Sequence, residues 1–127
     1  LSIRDIERSF HFYTAVLGMM PRAKWPQGAY LLAGELWLAL VVDEGVRERP
    51  FPEYSHIAFT VSSDDFTQMC QQILQTNTPL WQENKTEGDS LYFLDPDGHK
   101  LEIHASDLET RLKTAQKRPW PGLEIFA

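Results

Sequence analysis

A chain of 127 residues, 43% apolar and 12% aromatic, is long enough for one packed domain and too short for two ordinary ones. Eighteen acidic against twelve basic residues give a formal charge of −6, and the basic residues are scattered with no Lys/Arg block to neutralise a phosphate backbone, which argues against nucleic acid. The longest apolar run, LWLALVV at 36–42, has a strand's length and falls far short of the ~20 residues of a membrane span, while the lone Cys70 excludes an intrachain disulfide and suits a reducing, cytoplasmic setting.

The chain opens at Leu1 with no initiator Met and no signal-peptide pattern, so its native start is expected upstream. Asp5 can cap a helix whose apolar stripe is Ile6, Phe10, Tyr13 and Leu17, with Gly18 as the stop. GAYLLAGELWLALVV then predicts a hairpin of strands near 29–33 and 36–42, broken at Gly34-Glu35, and the charged, proline-bearing stretch from Asp43 to Glu53 predicts a loop. In YSHIAFTV, 54–61, Ile57, Phe59 and Val61 share one face while His56, Ala58 and Thr60 share the other. Ser62 or Ser63 can cap a helix carrying Phe66, Met69, Ile73 and Leu74. PLWQE, SLYFL and HKLEIH are further strands, the last two joined by Asp95-Pro96-Asp97-Gly98, which suits a type I turn. A final helix starts at Ser106 or Asp107 and runs to about Lys117.

Side by side, the two halves repeat strand-helix-strand-strand-strand, an internal duplication with a first module at 1–43 and a second at 54–127. In the first copy the opening strand is almost absent. Aligning Ile3 with Val61 places the counterpart of His56 three residues upstream of Leu1. In KLEIH, Leu101 and Ile103 face one side, and Lys100, Glu102 and His104 face the other. Two strands with apolar outer faces and one ligand-type side chain each on the inner face would make a curved sheet with a polar cup. There His56 and Glu102 could bind a divalent metal such as Mn, Fe, Ni or Zn. The ordinary alternatives are a half-buried, hydrogen-bonded strand His and a solvated strand Glu. His11, His99 and His104 are weaker ligand candidates.

The segment NKTEGDSLYFLDPDGHKLEIH, with WPQGAYLLAGELW, EYSHIAFTV and DLETRL, resembles the fosfomycin-resistance glutathione transferases of the vicinal oxygen chelate superfamily, and the likeness runs along nearly the whole chain. It implies an α+β fold of paired βαβββ modules forming a cup-shaped mixed sheet, and a homodimer in which modules of different subunits pair around Mn²⁺. His56 and Glu102 match two of three family ligands, the third being the His expected upstream of Leu1. The implied reaction joins glutathione to the epoxide fosfomycin, with the metal acting as Lewis acid and Tyr30 matching a Tyr near the incoming thiol. Asn84, Thr86, Glu87, Gly88 and Ser90 match a K⁺-binding loop. Arg111 matches a phosphonate clamp, Ser90, Thr86 and Tyr92 match phosphonate-contacting hydroxyls, and Trp37 matches a wall against the substrate methyl. Trp25, Gln27 and Lys85 would line the glutathione channel.

Two positions depart from the family pattern. Gln82 stands where a phosphonate-contacting Lys is usual, and Trp120 replaces a usual Tyr. Rival readings are another reaction in the same cup, such as epoxide hydration, for which Glu35 is the nearest candidate base, or glyoxalase-like chemistry, and a binding protein that sequesters an antibiotic without chemistry.

Overall fold

A computed structural model describes residues 1–84 and 88–126. Strand β1 (Ser2–Ile3) leads into helix α1 (Ile6–His11), whose first turn is capped by Asp5 accepting from the Arg8 N–H at 3.1 Å. The helix then widens into a π turn, Phe12–Val16, in which the Leu17 N–H donates to the Phe12 carbonyl at 3.0 Å. Regular helical spacing does not foresee that turn. Its effect is to bury Phe12, Tyr13, Val16 and Leu17 together.

Strands β2 (Met20–Trp25), β3 (Gly28–Ala33) and β4 (Leu36–Val42) complete the first half. The second half contains β5 (Ile57–Thr60), α2 (Ser63–Gln75, capped by Ser62), β6 (Leu80–Gln82), β7 (Ser90–Leu94), β8 (Lys100–His104) and α3 (Leu108–Lys117, capped by Asp107). The two sheets have the same plan, β1-β4-β3-β2 and β5-β8-β7-β6, with the opening strand parallel to the closing one in each. The duplication read from the sequence is therefore physical. The sequence reading did not mark β2, because all six of its residues are exposed and MPRAKW carries no apolar alternation.

One core takes side chains from both halves. Ala29 and Leu31 of β3, Leu38 and Leu40 of β4, Phe93 of β7, and Leu101 and Ile103 of β8 pack in one cluster with Phe12, Tyr13 and Ile73. Among the described residues, no helix is long and apolar enough to cross a membrane.

The turn Asp95–Gly98 does more than reverse the chain. Gly98 sits at φ +83°, where a side chain is strained, and its N–H donates to the Asp95 carbonyl at 3.0 Å. From this tip, buried Asp95 accepts the Tyr13 hydroxyl at 2.5 Å, and buried Asp97 accepts from Ser9 Oγ at 3.2 Å and from the Arg4 N–H and Arg8 Nη2 at 3.0 Å. Arg47 Nη2 donates to His99 Nδ1 at 2.8 Å, so the neutral ring presents Nε2–H to the Ser2 carbonyl at 2.7 Å. The β7–β8 tip thus latches the second half onto β1 and α1 of the first.

Burial pushes the Asp95 carboxyl above its usual value of 3.8, against the lowering effects of the Tyr13 hydrogen bond and of the His99 and Asp97 N–H groups. The folded chain holds this proton more tightly than the unfolded chain, so Asp95 subtracts stability as pH rises from the usual value through the raised one. Tyr13→Phe removes a donor that favours the ionised carboxylate. Urea unfolding at about pH 7 should show a loss of about 1.5–3 kcal/mol, shrinking toward about pH 4 as Asp95 takes up its proton. The same loss at both pH values would mean that the Tyr13 hydroxyl does not support the charged acid.

Candidate active site

The face of the second sheet turned away from the core is where ionisable side chains converge. Strand pairing places Ala58, Glu102, Tyr92 and Gln82 in one row across β5, β8, β7 and β6, and sets Ser90 beside His104. A bulge between Leu80 and Gln82 brings Trp81 onto this face, its ring centroid 5.1 Å from His56 and 5.2 Å from Tyr92. Tyr54 closes the side, 4.9 Å from His56. The resulting cavity, about 270 Å³, is lined by Tyr54, His56, Tyr92, Glu102, His104 and Arg111.

Within it, the hydrogen-bond polarity is constrained. His56 Nδ1 lies 3.0 Å from the Tyr54 carbonyl, which can only accept, so Nδ1 carries the proton. Its other nitrogen, Nε2, stands 3.0 Å from Glu102 Oε1. In a neutral ring that contact sets a lone pair against a buried carboxylate oxygen, and it is favourable only with a cation shared by the two atoms, either a second proton between them or a metal ion bound to both. Ligand bonds of about 2.1 Å at right angles hold their donor atoms about 3.0 Å apart, so the pair has the span of two neighbouring metal ligands. Among the described residues no set of three such donors is assembled, so this chain offers His56 and Glu102 as two.

The far oxygen of Glu102 is also engaged. Glu102 Oε2 accepts from Ser90 Oγ at 2.9 Å, and Ser90 Oγ lies 2.5 Å from His104 Nδ1. The serine proton points at the carboxylate, so His104 must be the donor in the second contact. That leaves Ser90 one free lone pair, which suits a cation better than a phosphonate oxygen.

The other candidate residues fall into three places. Arg111, on α3, lines the cup with its guanidinium exposed and without an ion-pair partner among the described residues, and Tyr92 is buried at its floor. Trp25, Tyr30 and Trp37 stack edge-to-face, with centroids 4.9 and 5.1 Å apart, on the outer face of the first sheet, and Trp37 is 65% exposed. Trp25 lies over Gly28, where a Cβ would come within 2.6 Å of the Leu40 carbonyl, so only glycine fits. Gln27 is exposed in the adjoining turn. None of these four lines the His56–Glu102 cavity, so one chain does not bring them to it. Asn84 Nδ2 donates to the Gly88 carbonyl at 2.8 Å, whereas Lys85, Thr86 and Glu87 lie outside the described residues. Gln82 reaches the Tyr54 hydroxyl at 3.4 Å, a long contact, and Trp120 is exposed and away from the cavity lining.

Sequence reasoning passed over Tyr54 and Trp81 and discounted His104. For His104 the signal was present, two residues beyond Glu102 on the same face. Trp81 reaches the cup through a bulge that alternation does not predict. A larger cavity, about 420 Å³, lies between the halves beside Leu17, Met19, Leu36, Phe59 and Met69, and its lining carries no ionisable side chain and so no evident chemistry.

The sequence signature of the glyoxalase/bleomycin resistance protein/dioxygenase superfamily matches residues 1–103. The chain belongs to that superfamily. Among its members the chain is 42% identical over 125 residues to the glutathione transferase FosA of Serratia marcescens, spanning 97% of this chain and 89% of that protein. It is 37% identical over 120 residues to the metallothiol transferase FosB of Lysinibacillus sphaericus, spanning 91% and 85%. The fosfomycin resistance protein FosX of Listeria monocytogenes, solved with Mn(II) and sulfate, superposes with a TM-score of 0.77 at 27% identity, over 90% of this chain and 91% of that one. The two-sheet arrangement is thus that of the superfamily.

His56→Ala and Glu102→Gln, made in the full-length protein, should each abolish manganese retention through gel filtration, read by elemental analysis. Metal content equal to the parent's in either variant would remove the cup as the metal site.

Proposed function

We propose that the chain is a metal-dependent thiol transferase that inactivates fosfomycin with glutathione, working with Mn²⁺ and K⁺ in the cytoplasm. The observation that carries this reading is the His56–Glu102 contact, a donor pair that calls for a cation at the floor of a cup walled by Tyr54, Trp81 and Tyr92. Likeness to FosA and FosB over most of the chain supports both the thiol and the metal, and the Mn(II) of the FosX structure favours manganese.

When bound, a divalent ion on His56 and Glu102 would supply Lewis acidity toward the epoxide oxygen and a positive anchor for the phosphonate. The chain's own groups do the rest. Arg111, without an ion-pair partner among the described residues, offers a permanently charged fork to the phosphonate, and Tyr92 fixes the floor of the cup. The free lone pair of Ser90, with Asn84 and the Gly88 carbonyl close by, suits K⁺ beside that anion, together with Thr86 and Glu87. The thiolate sulfur bonds to one ring carbon as that carbon's bond to oxygen breaks, and the oxygen leaves with the electron pair and takes a proton. Tyr30 would meet the incoming thiol, Trp37 the substrate methyl, and Trp25, Gln27 and Lys85 the remainder of glutathione.

Those aromatic groups sit on the exposed face of the first sheet and do not line the cavity in the same chain. A homodimer in which the first module (1–43) of one subunit faces the second (54–127) of its partner would join them, and a bare Trp25–Tyr30–Trp37 ladder is what such an interface would cover. Epoxide hydration is disfavoured because the relatives at 42% and 37% identity are named as thiol transferases, and its candidate base Glu35 sits in the two-residue turn between β3 and β4.

Full-length protein with Mn²⁺, fosfomycin and glutathione should form the thioether adduct, detected by mass spectrometry, and form it faster with K⁺. Intact metal binding without adduct would move the reading to sequestration or another substrate. Gln82→Lys should lower the fosfomycin dissociation constant roughly tenfold by restoring a charge-assisted bond. No change would place the phosphonate away from β6.

A further inference from the structure

We infer that His104 is a positioning residue for the metal-binding carboxylate, acting through the Ser90 hydroxyl. This rests on the reading of His56 and Glu102 as metal ligands. A carboxylate that must present one oxygen to a cation needs its other oxygen fixed, or rotation about the last side-chain bond scatters the donor. Here Glu102 Oε2 accepts the Ser90 proton at 2.9 Å, and a hydroxyl free to rotate would hold that bond poorly. His104 removes the freedom. Its Nδ1–H donates to Ser90 Oγ at 2.5 Å, which leaves the serine proton pointed at Glu102.

The arrangement follows from register. Ser90 and His104 are directly paired across β7 and β8, and His104 and Glu102 project from the same face, so the three side chains meet on one side of the sheet. His104 Nδ1 stands 3.4 Å from Glu102 Oε2, with the serine oxygen closer to each than they are to one another. The chain of contacts runs His104, Ser90, Glu102, His56 and ends at the Tyr54 carbonyl. Every donor in it is matched to one acceptor except at the His56–Glu102 contact, the place left for the cation.

The test is Mn²⁺ affinity, followed by the loss of free-ion EPR signal in K⁺-free buffer, so that cation binding near Ser90 does not contribute. His104→Ala should weaken Mn²⁺ binding about 10- to 100-fold. His104→Asn, whose amide can donate to Ser90 as Nδ1–H does, should restore affinity to within about threefold of the parent. Ser90→Ala should weaken binding as His104→Ala does, and the double variant should be no worse than either single one, because both cut the same chain. Thermal melting of the metal-free variants separates misfolding from mispositioning. Parent-like affinity in His104→Ala, alongside loss of binding in Glu102→Gln, would overturn the inference and keep the metal reading. Parent-like affinity in Glu102→Gln would overturn the metal reading itself.

Discussion

A carboxylate held out of water in the middle of a strand is the constraint on which the active site depends. Glu102 lies between Leu101 and Ile103, which are fully committed to the core, so the strand cannot turn it outward without exposing both. It must therefore be compensated where it stands. Ser90 satisfies one oxygen, and the other is left facing an imidazole nitrogen whose partner nitrogen carries the ring proton and donates it in a hydrogen bond to a carbonyl. The geometry is uncomfortable for the protein alone and comfortable around a cation. The nitrogen and oxygen donors are of the kind that a divalent ion accepts.

The same hairpin carries the second group of buried polar residues. At the stem of β7–β8 sit Ser90 and Glu102, and at its tip Asp95, Asp97 and His99 grip Ser2, Arg4, Arg8, Ser9 and Tyr13. One rigid element therefore sets both the chemistry of the second half and its attachment to the first. The latch uses charged and polar groups deep in the structure, which cost solvation but admit one relative position of the halves, whereas an apolar contact would tolerate sliding.

Much of this was legible in the sequence, and the gaps have physical causes. The strand alternation in YSHIAFTV and KLEIH placed His56 and Glu102 on a common face, because a half-buried sheet imposes a period of two. The repeat of the two halves was legible for the same reason, their core-facing residues recurring in order. β2 was missed because an exposed edge strand has no burial to imprint a pattern. The π turn was missed because a stripe at regular helical spacing looks nearly the same with or without one wide turn. The DPDGH segment was read as a turn, which it is; its role as a latch depends on Tyr13 and Ser9, more than eighty residues away in sequence, and no local pattern announces such a meeting. His104 was undervalued because its partner is a serine, a residue too common to signal a site.

The central claim is that the space between His56 Nε2 and Glu102 Oε1 is a cation's place. It is tested most directly by diffraction from crystals of the full-length protein grown with Mn²⁺, with data collected on either side of the manganese absorption edge. An anomalous peak within bonding distance of both atoms, vanishing below the edge, is the predicted result. Fully loaded crystals with manganese elsewhere, and with His56 still in direct contact with Glu102, would contradict it, since a proton alone would then hold the pair together.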